Sequence, residues 1–154
     1  MATFTFNIAK GRVGGYYDRV QGNDPVNSAL VIVAINTTET DATLQDLDTL
    51  SAILANANTA EVTNTGYARK VLTDADLAAA TPDDTNNWFA SDCADQTWTS
   101  VAAGTGWTDL IFCYDSDTTT GTDANLVPLT QHDFVATPDG SNIVATIADF
   151  FRGT

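Results

Sequence analysis

Positive charge is scarce in this chain: six lysines and arginines stand against 20 acidic residues, leaving a net charge of −14. A field of that sign repels phosphate backbones and anionic lipid headgroups, which excludes nucleic acid and membrane surfaces as partners and favours basic partners or cations. Histidine occurs once, at His132, and cysteine twice, at Cys93 and Cys113. One imidazole leaves little scope for histidine-based acid–base work, and two thiols cannot build a disulfide scaffold. Pairing is open to the two cysteines, but the apolar run around Cys113 favours two separate buried thiols in a reducing compartment. Long hydrophobic runs are also missing. The longest, Ala29 to Ile35, has seven residues, against roughly 20 for a membrane-spanning helix. Met1 to Ile8 has neither the basic head nor the unbroken apolar centre of a secretory leader, so export by a cleaved leader is not expected. Glutamate is nearly absent, with two against 18 aspartates. Aspartate caps turns through its short side chain, so many turns and few long helices follow.

What is present reads as one domain, residues 1–154, long enough to bury a core without staples. Thr3 to Ile8 alternates Phe4, Phe6 and Ile8 with polar residues, the period of a half-buried strand. As an extended N-terminal arm, residues 1–8 would offer Phe4 and Phe6 to a neighbour's sheet edge. Ala9 to Val20 carries apolar residues at helical spacing, although Gly14 and Gly15 together cost about 2 kcal/mol of helix propensity. The reading there is a short helix or irregular arm. Gly22 to Pro25 is a turn. The apolar run at Ala29 to Ile35 should be covered on both faces and lie centrally in its sheet. Leu44, Leu47, Leu50, Ile53 and Leu54 form a helical stripe over Ala42 to Ala55, with Thr40 and Asp41 as caps.

Beyond the turn at Gly66, strands are expected at Tyr67–Leu72, Gln96–Val101, Leu110–Tyr114, Val127–Leu129, Phe134–Ala136 and Asn142–Ala148. Thr73 to Ala80 adds a helical turn, and Pro82 to Asn87 a loop. Short strands at that spacing predict a mainly β fold, an antiparallel, jelly-roll-like sandwich with one or two short helices.

The residues that carry chemistry do not assemble into a motif. Asp115, Asp117, Thr119 and Asp123 place oxygens at calcium-loop spacing, but the glycine falls one position late and no glutamate closes the loop. An exposed, mobile hairpin loop over Asp115 to Asn125 is the better reading. His132 and Asp133 are strand neighbours that point to opposite faces, and no serine or cysteine nucleophile motif accompanies them. Close aspartate pairs arise by chance among so many. Trp88, Trp98 and Trp107 fit either a sugar-stacking platform or a core. No cofactor is implied. Scarcity makes the basic residues informative: Lys10, Arg12 and Arg19 lie in one segment, Arg69 and Lys70 in another, and both groups could match acidic patches on neighbouring copies.

Several segments together resemble a family of small structural proteins encoded by tailed bacteriophages. They are T-F-T-F-N-I-A-K-G-R-V at Thr3 to Val13, N-D-P-V-N-S-A-L-V-I-V at Asn23 to Val33, and A-E-V-T-N-T-G-Y-A-R-K-V-L-T-D-A-D-L at Ala60 to Leu77. D-Q-T-W-T, L-I-F-C-Y-D, V-P-L-T-Q-H-D-F and T-P-D-G-S follow in the second half. The best-marked parts are Thr63 to Arg69 and Leu129 to Phe134. The resemblance implies a non-enzymatic capsid decoration, or cement, protein. Such a protein would assemble in the host cytoplasm and sit on the outside of the virion head, as a homotrimer bridging major capsid protein subunits. A tail- or fibre-associated receptor-binding module is the alternative. The resemblance carries no catalytic residue. On this reading Phe4, Phe6, Lys10, Arg12, Arg69 and Lys70 are the expected contact residues.

Overall fold

The computed structural model describes residues 3–80 and 82–153. In chain order its first strands are β1 (Phe4–Thr5), β2 (Ala29–Thr37), β3 (Thr59–Glu61), β4 (Lys70–Leu72), β5 (Pro82–Asp83) and β6 (Trp88–Ser91). Those that follow are β7 (Gln96–Trp98), β8 (Trp107–Asp115), β9 (Val127–Ala136), β10 (Ile143–Ala145) and β11 (Phe151–Gly153). Three short helices, α1 (Val13–Gln21), α2 (Asp41–Gln45) and α3 (Leu50–Leu54), lie between the early strands. The fold is mainly β and every strand pairing is antiparallel. The large sheet runs β1-β9-β8-β2-β3, with β4 beside β3 on the same edge of β2, and two small sheets, β10-β7 and β11-β6-β5, stand apart from it.

The apolar run that opens β2 explains the layering. Successive side chains on a strand point to opposite faces. Leu30, Ile32 and Ala34 therefore enter one core, with Leu110, Phe112 and Tyr114 of β8, while Val31, Val33 and Ile35 enter the other, with Ile111 and Cys113. The first core is closed by Val13, Tyr17 and Val20 of α1, by Trp98 and Ile143 of one small sheet, and by Phe150. Leu44, Leu50 and Ile53 of α2 and α3 close the second. Burying each such aliphatic side chain is worth about 1.5–3 kcal/mol. The expected central strand is therefore covered on both faces, as its composition requires.

Residues 42–55 hold the expected apolar stripe but not one helix. The chain breaks at Asp46 to Thr49, and Thr49 starts α3 by accepting the Ala52 N–H at 3.1 Å, as Thr40 starts α2 from Thr43. Thr49 offered the backbone a second cap in place of continued helix.

The N-terminal arm is a correction. Phe4 and Thr5 pair with Gln131 and Thr130 of the chain's own β9, and the Phe6 N–H donates to the Leu129 carbonyl at 3.0 Å. Phe6 is fully buried in the second core, and the chain then turns at Asn7–Ala9 rather than continuing as a strand to Ile8. Phe4, half-buried, packs edge-on to Phe6 at 5.1 Å. Burial holds residues 4–9 to their own domain, so Phe6 is a core residue and not a contact for a neighbour. Met1 and Ala2, the start of the expected arm, lie outside the described residues.

The two strands expected at Val127–Leu129 and Phe134–Ala136 are one, β9, because Thr130 and Gln131 between them are buried and paired on both sides. Cys93 and Cys113 are free and buried in different cores, so they stay separate thiols.

Candidate functional site

The segment Thr59 to Leu72 is tied inward by its polar side chains. The Tyr67 N–H donates to the Asn64 carbonyl at 3.0 Å, closing a turn whose third residue, Gly66, has φ +92°. Asn64 is buried and accepts the Trp107 indole N–H at 3.2 Å, while its amide donates to the Ala102 carbonyl at 3.1 Å. The Tyr67 hydroxyl accepts the Ala34 N–H at 3.0 Å and donates to Glu61 at 2.9 Å. Burial pushes that phenol up from its ordinary value.

Arg69 completes the cluster. Its Nε and Nη2 donate to the Glu61 carboxylate at 2.8 and 2.5 Å, and its Nη1 and Nη2 to Asp123 at 2.5 and 3.1 Å. Those bonds hold the 116–126 loop against the sheet edge, helped by backbone bonds from Ser51 to Asp123 and from Leu50 to Leu126. The loop expected to be mobile is thus anchored. Lys70 is likewise spent internally, donating to the Thr97 carbonyl at 2.7 Å with its ammonium 5.2 Å from the Trp98 ring centre. Arg69 and Lys70 therefore leave the set of residues available to another copy. Opposite charge was in reach within the fold, which sequence distance concealed: Asp123 lies 54 residues from Arg69.

Arg69→Ala is expected to cost about 1 kcal/mol, because the pair keeps some solvent contact and is only partly desolvated. The Arg69 guanidinium holds the Asp123 carboxyl below its ordinary range. A lowered folded value contributes stability that is present above the unfolded value, about 3.9, and lost as pH falls through the folded one. Urea unfolding of both proteins should show the difference shrinking under acid; a constant difference would count against the pair.

The second surface is a cleft of about 200 Å³ where β9 meets the C-terminal segment, lined among others by Thr3, His132, Phe134, Ile147 and Phe150. His132 Nε2 lies 3.0 Å from the Thr130 hydroxyl, and its ring meets Phe112 edge-on at 5.3 Å. Burial pushes the imidazole below its usual value, opposed by a hydrogen bond to the Phe150 backbone and by the Asp133 charge. The hydroxyl beside it belongs to buried Thr130. Asp149, on the same rim, is engaged by Arg152 through Nε at 2.6 Å and Nη2 at 2.5 Å.

The third surface is the outer face of α1. Lys10, Arg12 and Arg19 are exposed, and Lys10 donates to Asn7 at 2.5 Å. Among the described residues no ion pair forms to Arg12 or Arg19. Between them Tyr16 lies half-buried, its ring 4.6 Å from that of Tyr114. Gly11, Arg12, Gly15, Tyr16 and Arg19 line an open depression of about 310 Å³.

Two tryptophans are core residues: Trp98 and Trp107 meet edge-to-face at 5.1 Å, both buried. Trp88 is half-buried, with the Arg152 guanidinium 4.4 Å from its ring centre. Among the described residues, no three His, Cys, Asp or Glu side chains are grouped to hold a metal. Asp117 accepts from Thr119 at 3.0 and 2.6 Å and Asp123 from Arg69, so the 115–125 loop uses these carboxylates to order itself. No described helix is long and apolar enough to cross a membrane. No protein-family model, curated protein or solved structure matches this chain.

Proposed function

We propose that the protein is a non-enzymatic structural component of a tailed-bacteriophage particle, which decorates the head and bridges major capsid protein subunits. The observation that carries this reading is where the aromatic residues go. Trp98 and Trp107 meet within the first core and Tyr67 packs against Trp107, so they are not free to stack on a sugar. Arginine and tyrosine, the types that anchor protein–protein contacts, are presented together at the outer face of α1 and its N-cap. A shell stabiliser needs contacts repeated by symmetry more than a deep pocket, because its binding energy goes to the assembled state. The resemblance of Thr63 to Arg69 and Leu129 to Phe134 to the phage family supports the same role.

A receptor-binding tail module is the second reading, favoured by Trp88, whose ring is partly open beneath Arg152. Electron microscopy of virions carrying labelled protein separates the two. Density at threefold or quasi-threefold positions of the head is the expected result. Density along the tail transfers the protein to the second reading, and unlabelled particles overturn both.

A further inference from the structure

We infer that the exposed face of α1, formed by Arg12, Tyr16 and Arg19, receives an aspartate-bearing turn from a second copy of this chain. The inference rests on the self-associating reading above and names the surface it uses. Cation bookkeeping identifies the site. Of six basic side chains, Arg69 and Arg152 are ion-paired within the chain, while Lys70 and Lys10 donate to a carbonyl and an amide oxygen. Arg12 and Arg19 remain, on a molecule of net charge −14. They stand seven positions apart, Arg12 at the N-cap of α1 and Arg19 in its last turn, and fall on one side with Tyr16 between them. Gly11 and Gly15 leave the space above open: a Cβ on either would meet no atom within 4 Å. The result is a shallow seat with a cation at each end and an aromatic floor held in place by Tyr114.

Charge decides how the copies meet. A twofold contact through this face would set arginine against arginine. Asp48, in the exposed turn between α2 and α3, lies on the opposite face of the large sheet from α1. The contact is therefore heterologous, head to tail, and such contacts close into rings when the rotation allows, a trimer among them. Exposed arginine–carboxylate pairs weaken as salt shortens the screening length.

Sedimentation velocity of the full chain at about 0.1 mM, in about 50 and about 500 mM salt, tests the seat. Wild type should sediment as a closed oligomer whose dissociation constant rises at least about tenfold at the higher salt. Arg12→Glu with Arg19→Glu should sediment as a monomer under both conditions, with an unchanged circular dichroism spectrum. Arg12→Lys with Arg19→Lys keeps the charge and should retain an oligomer. A wild type that is monomeric at low salt, or a glutamate variant that assembles like wild type, overturns the inference. Either result leaves head decoration to be judged by microscopy, and unlabelled virions would leave the contact between copies standing.

Discussion

Gly66→Ala should lower the unfolding free energy by about 4 kcal/mol, the sum of a strained backbone and an overpacked contact. Gly66 is the third residue of the Asn64–Tyr67 turn, with φ +92°, a region that side chains with a Cβ rarely adopt. A Cβ there would also lie 2.7 Å from the Ser100 carbonyl oxygen and 3.0 Å from that of Thr99. Both are backbone atoms and cannot swing away. Displacing the turn would pull on Asn64, which binds the Trp107 indole, and on Tyr67, which receives the Ala34 N–H. Gly140→Ala is the matched control: its φ is +100°, but a Cβ there meets nothing within 4 Å. It should lose only the backbone part, about 1–3 kcal/mol. Calorimetry would give a melting-temperature drop for Gly66→Ala of roughly 10 °C, clearly larger than the control. Equal drops would mean that the Ser100 contact relaxes and that the turn does not hold the two segments together.

Asp109→Asn should do the opposite and stabilise the protein at neutral pH by about 1–3 kcal/mol, an unusual sign for a fully buried polar position. Asp109 and Gln131 are both completely buried, and the Gln131 amide donates to Asp109 Oδ1 at 3.0 Å. Among the described residues, the remaining oxygens, Asp109 Oδ2 and Gln131 Oε1, have no hydrogen-bond partner. Two buried acceptors on one bonded pair lack a hydrogen. An asparagine at position 109 could donate that hydrogen to Gln131 while still accepting from it, satisfying both groups without a buried charge. Burial, aided by the Asp133 charge, pushes the Asp109 carboxyl above its ordinary value, against the Gln131 hydrogen bond that lowers it. A raised folded value means that Asp109 contributes stability below the unfolded value, about 3.9, and loses it as pH rises through the folded one. The advantage of Asp109→Asn should therefore be greatest at neutral pH and vanish in acid. Chemical denaturation at several pH values would show this. An asparagine variant less stable than wild type at neutral pH would rule out the missing-hydrogen account.

How much of this was legible in the residues alone differs from one element to the next. The run Ala29 to Ile35 announced a central strand because no polar residue interrupts it, and a strand with both faces apolar must be covered twice. The stripe at Leu44, Leu50 and Ile53 announced a covered face, but not the break at Asp46 to Thr49, where local capping outweighed continued periodicity. Thr130 and Gln131 split β9 into two expected strands because a buried glutamine looks like a loop residue until its partner Asp109, 22 positions away, is placed beside it. Phe4 and Phe6 had the right period for a strand; only the fold could say that the sheet they join is their own.

The sequence by itself determined the class of structure and the sign of the surface, since composition and periodicity act locally or as sums that no folding changes. The tertiary structure alone decided which charges are free. A basic residue is defined by what lies within a few ångströms of it, and Glu61 and Asp123 reach Arg69 only when distant strands close. That closure turned two of the four basic residues first expected at an interface into internal fastenings, and left Arg12, with Arg19, facing outward.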